Sequence, residues 1–248
     1  RNLPRPTVNQ IRVETDALVS VLTANAPQTV VDPNSKAFTD KQAAQLGEIV
    51  LDAKNYTDKE EELREMLALW AVTTGNAFRK DYWDPDAAGG LGDTRTEVCA
   101  PFTITVNPQA SSDDDIEWIM ETQPKSFNEI RRVYDKPEGN GYTGLANTVK
   151  AEASYNEAIQ RLLSIRSLGE FHSDWTYGYD DRVFKNYAIL KEWFAKPTVK
   201  YPKGRYVVTA NGVVLYTANE SPSFDADKRL WHPYTHMRYL NVPANYWG

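Results

Sequence analysis

The sequence predicts an α+β protein in which N-terminal helices pack on a mixed or antiparallel sheet and the C-terminal part is rich in β-strands. Apolar residues recur at helical spacing through the first 75 residues, and after Gly75 the spacing changes to the alternation typical of β-strands. Near the other end of the chain, Asn211 and Gly212 separate two alternating runs, which is the sequence signature of a β-hairpin.

Three amphipathic helices are predicted before Gly75. The first opens after Pro6 and ends at Pro27, and the second and third each begin at a capping box. The predicted capping boxes pair Thr39 with Gln42, Thr57 with Glu60 and, for a short helix that ends at Tyr134, Ser126 with Glu129. The residues predicted to be buried are Val8, Ile11, Thr15, Leu18 and Leu22 in the first helix, Ala43, Leu46, Val50 and Ala53 in the second, and Leu63, Leu67, Trp70 and Ala71 in the third.

The rest of the chain is predicted to be mostly strand. Strand-like runs cover residues 77–84, 94–108, 115–123, 183–194, 205–210 and 213–218, with turn signals at 107–115. A longer helical pattern starts at Asn147 and carries the apolar set Val149, Tyr155, Ile159, Leu162 and Leu163. We therefore expect an α+β region over residues 1–180 and a β-rich region over residues 181–248.

The composition is that of an ordinary globular protein, with 41% apolar and 25% charged residues in 248. The net charge of −6 does not support a basic surface that grips nucleic acid. The single cysteine, Cys99, excludes an internal disulfide and a CxxC metal site. The longest apolar run, residues 66–72, is far shorter than the roughly 20 residues of a membrane-spanning helix, so no membrane partner is expected.

The acidic stretch at residues 74–93 is the first candidate for chemistry, because it contains Asp81, Asp84, Asp86 and Asp93. A calcium loop counted from Asp84 lacks a ligand at loop position 5, which is Ala88, and at loop position 12, which is Arg95. Pro85 and the glycines of this stretch instead predict a wide hairpin tip in which Asp84 and Asp86 are solvated. Nothing in the sequence supports an acid/base pair here.

Other residues that carry chemistry are few. His232 and His236 are four apart, but Pro233 between them disfavours a helical zinc face; a strand would place both on one side, without an evident third ligand. Cys99 lies in an apolar strand pattern with no neighbouring base, as a buried structural thiol does. Nucleophile-elbow and nucleotide-binding motifs are absent, so we expect no enzyme, no metal and no cofactor.

Aromatic residues are numerous, with 7 Trp and 14 Tyr. Sugar-binding and single-strand-binding proteins use such residues, but Trp70, Trp83, Trp118 and Trp193 fall within helix or strand patterns, where core or subunit-interface packing explains them. The basic segment at residues 200–205 precedes the hairpin and is predicted to be a solvated edge that blocks strand pairing, with docking of an acidic partner as the alternative.

The ordered series of segments resembles the portal proteins of tailed bacteriophages. RPTVNQIRVETDALVSVLTANAPQTVVDP resembles the start of their wing region, and LALWAVTTGNAFRKDYWDPDAAG resembles their helix–Gly–strand segment that ends in W-D-P. APFTITVNPQASSDDDIEWIMETQPKSFNEIRRVY is similar to their next two strands and short helix, except that Asn107 replaces the family's aspartate. The run from EWFAKPTVKYPKGRYVVTANGVVLYTANE to NVPANYWG resembles the segment that follows, whereas residues 140–182 match nothing in the family.

This resemblance implies a structural head-to-tail connector, not an enzyme. The chain would be the wing region, with the stem or clip region as a further possibility for residues 181–248, and a piece of a longer protein. Such subunits form a ring, generally a dodecamer, at one vertex of the virion capsid, assembled in the host cytoplasm. The implied partners are further copies of itself, the major capsid protein, the terminase large subunit and tail adaptor proteins. Double-stranded DNA would pass through the ring without sequence-specific binding during DNA packaging and ejection.

A ring buries flat patches on both sides of every subunit, which gives the aromatic residues a function. The candidate subunit-interface residues are Trp118, Trp193, Trp231 and Trp247. The alternative is a non-enzymatic binding module that uses exposed Trp and Tyr side chains to bind a carbohydrate or a protein.

Overall fold

A computed structural model describes residues 10–25, 30–151, 158–159, 186–224, 230–240 and 246–247. The helices and strands delimited within them form an α+β fold with the helices at the N-terminal end, as predicted. The helices are α1 Gln10–Thr23, α2 Phe38–Thr57, α3 Glu60–Thr74 and α4 Phe127–Tyr134. The strands are β1 Asn76–Asp84, β2 Asp93–Cys99, β3 Ile104–Val106, β4 Trp118–Ser126, β5 Tyr187–Ala195, β6 Arg205–Ala210, β7 Val213–Ala218 and β8 Tyr234–Arg238.

The chain forms two compact units. The first unit comprises Arg1–Val98, Tyr234–Asn241 and Trp247–Gly248, and the second comprises Cys99–Pro233 and Val242–Tyr246. This division differs from the expected one at residue 180, because β4 and β5, which lie on either side of that position, pair antiparallel along their whole lengths. Hydrogen bonding between strands distant in sequence therefore sets the units, and sequence order does not.

In the first unit, α1 and α2 lie against α3, and α3 packs on β1 of a sheet with the strand order β2-β1-β8. Gly75 makes the change from helix to strand. Its φ of 81° lies in the left-handed region, and its N–H donates to the Ala71 carbonyl at 2.9 Å, so the helix ends within one residue of β1. The predicted change of period at Gly75 is confirmed.

The buried side of α1 differs from the predicted one. Ile11, Leu18 and Leu22 are exposed, and the less exposed line of the helix consists of Thr15, Val19 and Thr23. Thr23 can be half-buried because its hydroxyl donates to the Val19 carbonyl at 2.9 Å within the same helix. The predicted contribution of Val8 lies outside the described residues.

The buried side of α2 also differs from the prediction. Ala43, Leu46, Val50 and Ala53 are all exposed, and Ala44 is the buried residue of this helix. Gly47 of the same side is half-buried, and a Cβ there would be in ordinary van der Waals contact with the Val31 side chain, at 3.6 Å. In α3 the prediction is confirmed for Leu63, Trp70 and Ala71, which are buried.

Two of the three predicted capping boxes are wrong. Thr39 lies inside α2, which begins one residue earlier, and the Thr57 hydroxyl donates back to the Ala53 carbonyl at 2.9 Å at the end of α2. The third capping box, Ser126 with Glu129, is confirmed for its serine and is wrong for its glutamate. The Ser126 hydroxyl accepts the Glu129 N–H at 3.2 Å, but the Glu129 carboxylate accepts from Lys125 instead of bonding the backbone.

The second unit is built on an antiparallel sheet with the strand order β3-β4-β5-β6-β7. The Asn211-Gly212 hairpin between β6 and β7 is confirmed. One sheet face, the inner face, carries the core with α4 and residues 146–149 against it. The helical pattern predicted from Asn147 begins with a 3-10 turn at Ala146–Thr148, and residues 158–159 are helical. Of its apolar set, Val149 and Ile159 are buried, and the others lie outside the described residues.

A loop covers the open edge of β7. Residues 139–143, here called the edge loop, run beside that strand: the Thr217 N–H donates to the Gly141 carbonyl at 2.8 Å, and the Thr143 N–H donates to the Leu215 carbonyl at 3.1 Å. Gly141 must be glycine, since a Cβ there would lie 2.5 Å from the Thr217 carbonyl oxygen. The edge loop therefore satisfies backbone groups that an edge strand otherwise exposes.

The Asn107 side chain joins the two ends of the 107–117 turn. The side chain is buried, its Nδ2 donates to the Asp115 carbonyl at 3.2 Å, and its Oδ1 accepts the Glu117 N–H at 2.9 Å. An ionised carboxylate can accept but cannot donate, so only the amide satisfies both ends of the 107–117 turn.

Asn107→Asp is expected to destabilise the second unit by about 1–3 kcal/mol, because the Asp115 carbonyl loses its donor and faces a buried charge. Chemical denaturation monitored by Trp fluorescence measures this loss. Asn219→Asp, an exposed position in the same unit, is the matched control and is expected to change stability little. Equal effects of the two substitutions would contradict the assigned hydrogen bonds.

Candidate subunit interface

The outward side of α2 is an exposed apolar helix face. We call it the α2 stripe. Leu46 is 62% exposed, and Ile49 and Val50 are each 64% exposed. The stripe consists of Phe38, Leu46, Ile49, Val50, Ala53 and Tyr56.

The opposite side of α2 is polar and faces the rest of the first unit. Lys54 donates to the Asp93 carboxylate at 2.8 Å and pairs with Asp58 at 3.2 Å. The hydrogen bond between Lys54 and Asp93 raises the pKa of Lys54 and lowers the pKa of Asp93, so both side chains stay charged at neutral pH. Glu48 accepts the Val31 N–H at 3.2 Å. This helix is thus inverted relative to the usual amphipathic pattern, in which the polar side faces solvent.

Solvent exposure of this stripe is costly for a free subunit. Burying one large aliphatic side chain contributes about 1.5–3 kcal/mol of free energy. A partner that covered the three neighbouring side chains would therefore gain several times this free energy on binding. Contiguous exposed apolar patches of this kind mark protein–protein contact surfaces. The α2 stripe is therefore an interface candidate in the first unit.

The second unit carries a smaller apolar patch on the outer face of its sheet. Trp193 of β5 lies between Met120 of β4 and Val207 of β6, and Trp118 is diagonal to it. All four side chains are half-buried. We call this set the sheet patch. The register thus brings together two of the predicted interface residues, Trp118 and Trp193, on one surface.

The other two predicted interface residues contact their own subunit. Trp231 is 6% exposed and packs edge-on against His232, with ring centroids 4.6 Å apart, so its side chain offers almost no surface to a neighbour. Trp247 is half-buried and packs edge-on against Phe78 at 5.8 Å and His236 at 6.2 Å. For Trp247, the long separation in sequence from Phe78 hides this contact from sequence reasoning.

Trp83 is the most exposed tryptophan of the described residues, at 61%. The sequence predicts it to pack in a core or an interface, but the side chain lies at the β1–β2 hairpin tip, directly over Gly92. A Cβ on Gly92 would lie 2.2 Å from the indole. Leu91 beside it is also exposed. The glycine therefore seats one side of the indole and leaves the other side open to solvent.

The four aspartates of residues 74–93 do not converge on a common site. Asp84 accepts the Asp86 N–H at 3.0 Å in a tight turn, and its carboxylate lies 3.6 Å from Arg95. Asp81 accepts from Arg79 at 3.1 Å, and Asp93 pairs with Lys54 on α2. Asp86 is exposed, as predicted, while Asp84 is half-buried. These carboxylates stabilise the hairpin and join it to the helices.

Metal-binding and nucleophilic groups do not cluster in the described part of the chain, where no group of three or more His, Cys, Asp and Glu side chains is placed to hold a metal. His232 precedes β8 and His236 lies within it, so the two do not form the same-face strand pair. The His236 Nε2 lies 3.0 Å from the Asn76 Oδ1, and its ring stacks on Phe78 at 4.4 Å. Cys99 is buried, as expected for a structural thiol. His172 lies outside the described residues.

The basic segment at residues 200–205 does not flank an edge strand, because β6 lies between β5 and β7. Its cations make contacts within the second unit instead. Lys203 pairs with Glu220 at 3.0 Å, and the Arg205 guanidinium lies over the Tyr201 ring at 5.1 Å. The predicted role as a strand-pairing guard at an edge is therefore wrong.

Two glutamates that sequence reasoning missed lie opposite each other on the inner face of the sheet. Glu121 of β4 pairs with Glu192 of β5, and Glu121 is only 1% exposed. Gln123 donates to Glu121, and the Tyr206 hydroxyl donates to Glu192 at 2.8 Å. Burial, followed by the nearby Glu192 and Tyr134, raises the pKa of the Tyr206 phenol well above its usual value of 10.0. This cluster lies in the core, where it acts on stability.

Tyr206→Phe is expected to cost about 1–3 kcal/mol at neutral pH, because Glu192 loses a buried donor. Below pH 10.0 the phenol is protonated in both the folded and the unfolded state, so this difference from wild type is constant. Above that pH the unfolded tyrosine loses its proton while the folded one keeps it, so the wild-type advantage shrinks by about 1.4 kcal/mol per pH unit. Urea denaturation of both proteins across this range checks it, and a constant difference would contradict the shielding of Tyr206.

In comparisons with known proteins, no family model and no curated protein matches the chain. None of the helices in the described ranges is long and apolar enough to cross a membrane. The fold and its surfaces thus define an α+β protein of two compact units, with an inverted amphipathic helix in one and a half-exposed aromatic sheet face in the other.

Proposed function

We propose that this chain is a portal subunit, the head-to-tail connector of a tailed bacteriophage, which forms a ring at the capsid vertex through which double-stranded DNA is packaged and ejected. The observation that carries the proposal is the α2 stripe, in which Leu46, Ile49 and Val50 are more than half exposed. In a ring, the neighbouring subunit would cover this exposed face permanently. The ordered sequence segments that resemble portal proteins supply the specific identity.

A ring needs two different surfaces on each subunit, because its contacts are head-to-tail. The α2 stripe and the sheet patch are two such surfaces of different shape: one is a helix face with four aliphatic and two aromatic residues, and the other is a sheet face with two tryptophans. Trp118 and Trp193 of the sheet patch are residues of the kind that dominate binding energy at interfaces. Both surfaces therefore support assembly from copies of this chain.

The electrostatics suit a DNA conduit. The net charge of −6 disfavours tight phosphate binding, which would stall a sliding duplex. We propose that the ring numbers twelve subunits, as portal rings generally do, and that it docks the major capsid protein, the terminase large subunit and the tail adaptors. The ATPase chemistry then belongs to the motor, and this chain acts in the virion as a structural, non-enzymatic part.

Negative-stain imaging and mass photometry of the purified protein test this proposal. Rings with a central hole and a mass that is a multiple of the subunit mass are expected. Monomers alone at micromolar concentration would overturn it. Imaging is decisive because a dimer or an open filament would bury the same stripe but would show no closed ring.

A binding module that recognises a carbohydrate or a protein is the second candidate, and the exposed Trp83 favours it. An indole seated on Gly92, with its outer side open, is suited to stack against a sugar ring or an apolar side chain. Binding of monomeric protein to a polysaccharide array, lost in Trp83→Ala and retained in Trp118→Ala, would support this candidate. Absence of binding together with ring formation would reject it.

A further inference from the structure

We propose that Asn140 is a site of spontaneous deamidation in the folded protein and that Asn211 is protected from it. The chain contains two Asn-Gly pairs, Asn140-Gly141 and Asn211-Gly212. Glycine after asparagine is the most permissive successor for this reaction, because it has no side chain to hinder attack by its own backbone nitrogen. The modification converts a neutral amide into an acid and needs only water.

Both pairs occupy the same kind of turn, so the backbone does not distinguish them. Each forms the two central residues of a tight turn with positive φ at both positions: 50° and 89° for Asn140 and Gly141, 44° and 81° for Asn211 and Gly212. This is the primed turn that closes two-residue hairpins. A difference in reactivity must therefore come from the asparagine side chains.

The side chains are restrained very differently. Asn211 is 7% exposed, its Oδ1 accepts the Ile189 N–H at 2.9 Å, and its Nδ2 donates to the Lys150 carbonyl at 2.8 Å. Asn140 is exposed, and its amide makes no hydrogen bond to any residue of the described ranges. The Asn140 side chain can thus rotate toward the Gly141 nitrogen, whereas Asn211 must first break two hydrogen bonds.

The chemistry at Asn140 is balanced without a cofactor. The Gly141 backbone nitrogen gives its proton to solvent base and attacks Cγ of Asn140, forming a nitrogen–carbon bond that closes a succinimide ring. The Cγ–Nδ2 bond breaks, and Nδ2 leaves with a proton as ammonia. Water then adds to one of the two ring carbonyls and opens the ring, which yields aspartate or isoaspartate.

The consequence for the fold lies in the edge loop. Isoaspartate inserts an extra backbone carbon between residues 140 and 141, in a turn closed by reciprocal hydrogen bonds between Gly139 and Tyr142 at 3.0 and 2.9 Å. The adjoining bond from the Thr217 N–H to the Gly141 carbonyl, at 2.8 Å, then loses its register. Deamidation therefore loosens the cover over the β7 edge. A carboxylate also replaces the amide near Glu138 in sequence.

Peptide mapping by mass spectrometry after incubation of the full chain at mildly alkaline pH, below its unfolding temperature, tests the proposal. Each hydrogen bond that must break lowers the reactive population several-fold, so product at residue 140 is expected to form at least roughly tenfold faster than at residue 211. Labelling by an isoaspartyl methyltransferase reports the isoaspartate fraction. Hydrogen exchange at the Thr217 amide is expected to rise in the aged protein.

Denaturant supplies the matched control, since the two Asn-Gly pairs should react at similar rates once the chain is unfolded. Asn140→Gly, which tolerates the positive φ, should abolish the major product and the rise in Thr217 exchange. Product at residue 211 that forms as fast as at residue 140 in the folded protein would overturn the proposal. So would a folded protein that stays unmodified at residue 140 while the unfolded chain reacts there.

Discussion

Replacing both Leu46 and Val50 by aspartate is expected to convert the proposed ring into monomers that keep their fold. Both side chains are more than half exposed in the subunit, so the substitutions disturb no internal packing. In an assembled ring the same positions would bury two unpaired carboxylates against apolar groups, which costs several kcal/mol per interface. Mass photometry across a concentration series measures the shift, and circular dichroism checks that the helices persist.

The matched control is Lys41→Glu on an exposed flank of α2 outside the α2 stripe, which changes the net charge by the same −2 by replacing one positive charge with one negative charge. It is expected to leave the ring intact. Rings that survive the double substitution would show that the α2 stripe does not form the contact, even if the protein is a portal. Loss of rings in the control as well would point to net charge and not to the stripe.

Replacing Phe194 by alanine is expected to destabilise the second unit by about 3–5 kcal/mol, the usual cost of removing a buried aromatic side chain. Phe194 is 2% exposed on the inner face of the central strand β5, and its ring lies 4.7 Å from that of Tyr206. Truncation leaves a cavity beside the buried glutamate cluster. Urea denaturation measures the loss.

The neighbouring Trp193→Ala separates folding from assembly, because Trp193 lies one residue away on the opposite face of the same strand and is half-buried. It is expected to cost the isolated subunit much less than Phe194→Ala and to weaken ring formation more. Equal losses of stability would contradict the assignment of inner and outer faces. Unchanged assembly in Trp193→Ala would remove the sheet patch from the interface.

The order of elements follows closely from local sequence signals. The change of period at Gly75, the alternation through β1 and the Asn211-Gly212 turn each depend on residues near one another in the chain, and each is confirmed. Gly75 in particular combines a helix-ending left-handed conformation with a direct entry into a strand. Local chemistry is sufficient for such features because their hydrogen bonds span only a few residues.

The helix faces show where sequence reasoning ends. In α2, the stripe of Leu46 and Val50 and the line of Ala44 and Gly47 both repeat at helical spacing, and hydrophobicity alone selects the first. In the structure the second side faces the rest of the first unit: Ala44 is buried, Gly47 is half-buried, and Lys54 reaches Asp93 from that side. A periodic apolar pattern predicts that a face is covered by something, and it cannot say by what.

The candidate sites likewise divide into features that local sequence determines and features that depend on tertiary structure. Sequence alone determined the helices-then-strands order, the lack of a metal-binding spacing among the aspartates of residues 74–93, and Trp118 and Trp193 as candidates for contact. Only the tertiary structure decided that these two share a surface, that Trp231 is buried, and that Glu121 faces Glu192. The physical reason is that strand register and face selection depend on pairing partners far away in the chain, and a register shift of one residue exchanges the two faces of a strand.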